Sequence, residues 1–423
     1  MKVVDKIKEF IHQKEKVIDE NEQIGMVYDI IASKIKQCED LRVANIPEDV
    51  FQYTKEKYED EIIDLINQDE RVLTYIDAGS DNLGIIAARC KLDKVVMRAL
   101  DNKEASVQQN DRGYNIGMYA AIYGLEECAI KALDNEEASR QILEDSYDNL
   151  GMICAKSKLQ KATLKALDNY DNSLHQDSFG RTIGMWAAIS GLEECVLKAL
   201  DNYEASILQD QKNNNIGMYS AKSCLEKAVL KALDINEISI QQDMQYQNIG
   251  MICAKKALEK CVLKALDNTK ACTQQDFMGY NIGMLSASNY LYDATLKALD
   301  NEEASIQQSF GGLNIGMVAT SNGMRDATLK ALDNRVASLQ VCTMNGLFGK
   351  NIGMMALASN MEDCVVKAID LYPEILNQDY GSVLFKDYLK IHDFQYPNIA
   401  KYLEEKEEEI ITDDFEDSDV NKI

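Results

Sequence analysis

"NIGMYAAIYGLEECAIKALDN", Asn115 to Asn135, is an amphipathic phrase that returns as "TIGMWAAISGLEECVLKALDN" from Thr182 and "NIGMICAKKALEKCVLKALDN" from Asn248. Its glycine stands at Gly84, Gly117, Gly151, Gly184, Gly217, Gly250, Gly283, Gly316 and Gly353, at spacings of 33, 34, 33, 33, 33, 33, 33 and 37 residues. A period this regular marks stacked supersecondary units, each of which must bury a face against its neighbours. At 423 residues the chain is long enough for several separate domains, but a repeat array overrides that expectation because it grows as one continuous core.

One unit reads in full from Asp276 to Gln308. "DFMGYN" has turn chemistry: an Asp at the start, Gly279 to allow an unusual backbone angle, and Asn281 before an apolar run. Asn281 is a good helix N-cap, and its equivalents are Asn, with Thr182 the one exception. The pattern predicts a first helix over roughly Ile282 to Asn289, with Ser286 and Ala287 inward, and a second from Tyr292 to Leu299. Asp300-Asn301 is expected to close the second helix, Asn being well tolerated in the left-handed cap. A polar stretch then leads to the next turn.

Bulk properties narrow the function. Hydrophobic residues make up 46% and charged residues 27%, the composition of an ordinary soluble protein. Three prolines favour helices joined by short turns. A net charge of −25 argues against nucleic acid as a partner, since phosphate contacts need a basic surface. Part of that charge lies in "EEKEEEIITDDFEDSDV", residues 404–420, which reads as a solvated tail. The eleven cysteines are odd in number and fall at repeat positions, Cys128, Cys195, Cys261 and Cys364 at one site and Cys154 and Cys253 at another. With no CxxC pair and only His12, His175 and His392, buried thiols explain them better than bridges or zinc. No segment has the length of a membrane span, and no secretory signal is evident, so a cytoplasmic location is expected.

The order of features in "DSFGRTIGMWAAISGLEECVLKALDNYEASILQ", from Asp177, resembles the ankyrin repeat: Asp-x-x-Gly-x-Thr, a short helix with an Ala pair, a turn, then a helix with Glu-x-Val and Ala-Leu. The resemblance covers roughly Pro47 to Leu403, with "YEDEIIDLINQDERVLTYID" and "SVLFKDYLKIHDFQYPNIAKYLEE" as worn end copies. It implies an all-α solenoid of stacked 33-residue helix-turn-helix repeats joined by short hairpin-like loops. The array would occupy residues 46–403, behind a helical cap or module at 1–45 ("VVDKIKEFIHQKEKVI" and "IGMVYDIIASKIKQC") and ahead of an acidic disordered tail at 404–423. Two departures stand out. Asn-Ile-Gly-Met replaces the family's Thr-Pro-Leu-His, whose His ties neighbouring repeats by hydrogen bonds, so stacking here is expected to rest on methionine packing. The Gly-Ala-Asp after the second helix is replaced by phrases such as "NEEAS", which leaves the path of the connecting arm open.

Candidate chemistry is sparse. The glycine row lacks any GxGxxG or Walker pattern and reads as close helix approach instead of a phosphate cradle. Glu126-Glu127 and Glu193-Glu194 fall in the first turn of second helices, where acidic residues complement the helix dipole. The equivalents of Trp186 are apolar, so it reads as framework. No nucleophile, general base, metal set or cofactor motif assembles. The resemblance implies a non-enzymatic scaffold that contacts another protein or peptide through its turn tips and first-helix ends, on the concave side. In the later copies those tips carry large apolar residues: Phe179, then Met244, Phe277 and Met278, Phe310, and Leu347 and Phe348, with Tyr280 and Leu313 extending the edge. Stacked repeats would space them at about 10 Å. Lys156, Lys222, Lys255 and Lys256, at first-helix ends, form a candidate basic groove for an acidic peptide. The alternatives are a structural protein that self-associates through its tips, a protein that sequesters a small molecule or nucleotide, and a host-directed effector of the kind found among ankyrin proteins.

Overall fold

The computed structural model describes residues 20–43, 47–344, 347–381, 383–392 and 395–406. The helical pattern expected over residues 3–18 and the tail from residue 407 lie outside them. The chain divides into two compact units, Met1–Gln211 and Lys212–Ile423. Each is a stack of helical repeats, four in the first unit and five in the second. A two-residue hairpin, Asp379–Tyr380 with Val383–Leu384, is the sole named sheet among the described residues.

A repeat contains three helices, not two. In the copy read above they are Ile282–Ser288, Tyr292–Ala298 and Glu302–Ile306. The first two match the expected spans to within a residue. The third corrects the expectation of an open loop. Asn301 does not close the second helix in a left-handed cap: its φ is −89°, and its side chain accepts from the Ala304 N–H to start the third helix. The left-handed residues lie elsewhere, at the tip (Gly279) and between the first and second helices (Tyr290). Helices of five to eight residues are too short to persist alone, so neighbouring repeats supply their stability.

Three devices join one repeat to the next. The first is a knob in a socket. A Cβ on Gly283 would lie 2.4 Å from Ile315 Cδ1 of the following repeat and 2.7 Å from Ala298 Cβ of its own second helix. Gly84, Gly151, Gly217, Gly250 and Gly316 make the same arrangement with Ile116, Ile183, Ile249, Ile282 and Ile352. The glycine row therefore serves close approach, as its sequence suggested. The methionine that follows each glycine of the row after Gly84, such as Met284 or Met317, is fully buried, as is Ile85 in the first copy.

The second device is a polar relay. Asn281 Oδ1 accepts from the Met284 N–H at 2.9 Å, capping the first helix. Its Nδ2 donates to the Ala304 carbonyl and to Gln307 Oε1, each at 2.9 Å. Gln307 Nε2 then donates to the Thr273 carbonyl of the preceding repeat, 2.6 Å away. The same path runs through Asn115, Gln141 and Val107, and through Asn248, Gln274 and Ile240. Methionine packing is thus only part of what holds the stack; every buried Asn in these paths has its amide satisfied, as a dry interior requires.

The third device caps the second helices. Glu126 Oε1 accepts from the Lys161 N–H at 2.7 Å, and Glu259 Oε1 from the Asp293 N–H at 3.2 Å, so each Glu closes the free N-terminus of the next repeat's second helix. The buried Glu59 does the same for the Lys94 N–H at 3.0 Å, ahead of the first copy. Along the exposed edge, Lys165 pairs with Asp134, Lys297 with Asp267 and Lys330 with Asp300. Such exposed pairs contribute roughly 0–1 kcal/mol each.

The first unit begins with Glu20–Val43, which packs on Glu48–Gln68 and on the first repeat helix, Leu83–Arg89. Tyr28, Ile31, Ile35 and Cys38 are buried there, and the Tyr28 hydroxyl donates to the Asp81 carbonyl at 2.9 Å. Apolar repeat surface is covered in this way at the array's start. In the second unit the last repeat replaces its third helix by the 3-10 turn Pro373–Asn377, whose Ile375 enters the Gly353 socket, with Phe385–Ile391 following.

Candidate interaction surface

The tips are built by Asp side chains. Asp276 Oδ1 accepts from the Met278 and Tyr280 N–H groups, both at 3.0 Å, and the Gly279 N–H donates to the Asp276 carbonyl at 2.8 Å. Gly279 has φ +80°, and a Cβ there would meet Ser309 Cα at 2.9 Å, so the turn requires glycine on both counts. Successive tips are then laced by backbone bonds. In the second unit the Met244 N–H donates to the Lys212 carbonyl, Phe277 to Gln245, Phe310 to Met278 and Thr343 to Gly311, at 2.9 to 3.1 Å.

This lacing holds large apolar side chains at the rim. Phe310 is 79% exposed and Phe348 73% exposed, and Met244, Phe277 and Met278 are exposed as well. Tyr280 and Leu347 are half-buried. Leu313 does not belong to the exposed edge: it is 9% exposed, and its carbonyl accepts from the Ser309 N–H inside the turn. Tyr246 and Met344 extend the row beyond the residues that sequence alone singled out. Tyr246 holds the tip's left-handed position (φ +57°), a place where the period leads one to expect glycine, and Met344 packs over Gly311.

The lysines border the same rim. Lys222 Nζ lies 3.7 Å from Asp243 Oδ2 and Lys255 Nζ 3.1 Å from Asp276 Oδ2, each reaching the tip carboxylate of the following repeat. Lys256 is exposed. The first-helix ends and the tips of the second unit therefore share one surface.

In the first unit, Phe179 and Lys156 belong to a different arrangement. Arg181 lies 4.5 Å from the Phe179 ring centroid and 4.0 Å from that of Trp186, and Lys156 Nζ is 4.2 Å from the latter. The indole N–H donates to Asp177 Oδ2 at 2.9 Å, and Lys156 pairs with the buried Asp148. Trp186 is partly buried against Met152, Ala155 and Ile183, so its packing role is joined by a polar one. No other repeat combines these residues.

Burial raises several of the thiols and holds them in their protonated form. Cys128 is pushed up to about 12, and Cys195, Cys272 and Cys364 to about 11. All eleven cysteines are free, and Cys224 alone is exposed. Among the described residues, no helix is long and apolar enough to cross a membrane.

No family model matches this chain, and no curated protein matches it either. The surface therefore has to be read from its own chemistry.

Proposed function

We propose that the chain is an ankyrin-type repeat protein that works without catalysis, binding another protein through its tip-lined edge. The observation that carries this reading is the row of exposed Phe and Met side chains in the second unit, fixed on backbone-laced turns. Aromatic and methionine side chains dominate interface energetics, and an edge already rigid loses little freedom on binding. The helix-capping glutamates and the buried thiols leave the residues that catalysis would recruit committed to the framework. The third helix of each repeat is a departure from the ankyrin pattern, and the tip lacing is the feature most like it.

The test is affinity capture with the full chain, followed by identification of the bound protein. Replacing Phe277, Met278, Phe310 and Phe348 by Ala is expected to abolish capture, since a buried anchor contributes about 2 kcal/mol or more. Undiminished capture by a folded quadruple variant would sink the assignment.

A further inference from the structure

About one residue in six of this chain is acidic, 70 of 423. Yet the tips and first-helix ends of the second unit, over residues 212–360, hold no acidic residue apart from Asp243 and Asp276, which are buried. The same face displays Lys212, Lys222, Lys255 and Lys256 beside the apolar row. Asp243 and Asp276 balance two of these cations from beneath, through contacts that leave the lysine side chains more than a third exposed. The first unit differs, with Asp111, Glu144 and Asp145 at its tips. A strip that exposes lysines and no carboxylate, on so acidic a chain, departs locally from its overall charge, and charge complementarity of this kind selects a partner.

Resting on the protein-binding reading above, we infer that the occupant of this face is an acidic amphipathic helix, its apolar stripe on the Met and Phe tips and its carboxylates toward the lysines of the first-helix ends. The helical form follows from spacing. Stacked repeats present one tip about every 10 Å. Seven residues of α-helix rise about 10.5 Å, two turns that return to the same face. An extended strand covers the same distance in about three residues, which places successive anchors on opposite faces. A helix with apolar residues at heptad spacing therefore meets consecutive tips in register.

The experiment uses the full chain and two synthetic helix-forming peptides. One carries Leu at every heptad position with flanking Glu; its twin has Lys for each Glu. Fluorescence anisotropy is expected to show the acidic peptide binding about tenfold tighter than its twin, weakening as salt rises. The double variant K212E/K256E is expected to remove that preference, and F277A/F310A to weaken both peptides. The K212Q/K256Q variant serves as the milder control should the charge reversal disturb folding, and it is expected to reduce the preference in the same direction. Equal or tighter binding of the basic peptide overturns the acidic assignment while leaving the tips as a binding edge. Binding of neither peptide, or capture only by anionic phosphatidylserine vesicles, overturns the inference outright. Loss of the natural partner in the quadruple tip variant is a separate readout, so the two readings fail separately.

Discussion

At Asn149 the polar relay is interrupted. This N-cap accepts from the Met152 N–H as its equivalents do, but the residue that should receive its amide is His175, where other copies have Gln. His175 turns to the Tyr147 carbonyl at 2.6 Å, and the buried Asn149 Nδ2 has no partner. The next copy shows the harmless version of this change: Thr182 stands for Asn and Leu208 for Gln, so both partners are absent together. Losing one partner leaves a desolvated group unmet, whereas losing both does not. His175→Gln is accordingly expected to raise stability by about 1–2 kcal/mol in urea unfolding, and an unchanged midpoint would show that the amide is met some other way. Glu59 is a second residue with a readable energy. Burial raises its carboxyl from 4.5 to about 7, with Asp93 adding to the rise and Lys55 opposing it. Between those pH values the folded state holds a proton that the unfolded chain has released, so stability falls as pH rises from 4.5 through 7. Glu59→Gln keeps the acceptor for the Lys94 N–H and removes the titration. The variant is expected to match the parent near pH 4 and to exceed its stability by up to about 3 kcal/mol at pH 8. A parent and variant that keep the same difference at both pH values would contradict the burial argument.

Among the elements, the first helix is the most constrained, because its glycine is a socket. Gly283→Ala would force Ile315 and Ala298 apart, and we expect a loss of about 1–3 kcal/mol by thermal unfolding, with Ile315→Val in the same chain recovering part of it. An Ala variant as stable as the parent would mean that the helices are not held at their spacing by that contact. This element was legible in the sequence because cap, glycine and small pair sit within one short phrase. The third helix was not. "EEASI" spans little more than one turn, shows no periodicity and takes its definition from the Asn301 cap and its neighbours. The relay was equally hidden, since Asn281 and Gln307 stand 26 residues apart and meet only once the repeat closes. A recurrent Gln ahead of most tips, as at Gln274 and Gln307, was the signal available. The tips were partly legible: their apolar character was plain, but burial of Leu313 depends on which way the turn points its side chain, and that follows from the Ser309 hydrogen bond.

Taken as a whole, the molecule keeps ten of its eleven thiols inside the framework, and thiol chemistry tests that description directly. In native buffer one fast thiol, Cys224, is expected to react with an aromatic disulfide reagent, and all eleven in denaturant. Cys224→Ser should erase the fast phase; a persistent one would show that the interior opens readily. The socket has a further consequence, for growth. A repeat such as that of Gly283 offers the following one a Gly hollow for its Ile, so the surface between such copies is heterologous and does not close on itself. In the last repeat Ile375 fills that hollow and Gln378 meets the Asn351 amide at 2.8 Å. A chain cut before Pro373 would leave the hollow vacant, matched in shape to the leading Ile of any array lacking its own first helices. Such fragments are expected to add to one another end on end, as a fibre without a natural stop, whereas in the full chain Ile375 of the short 3-10 turn Pro373–Asn377 occupies the last hollow.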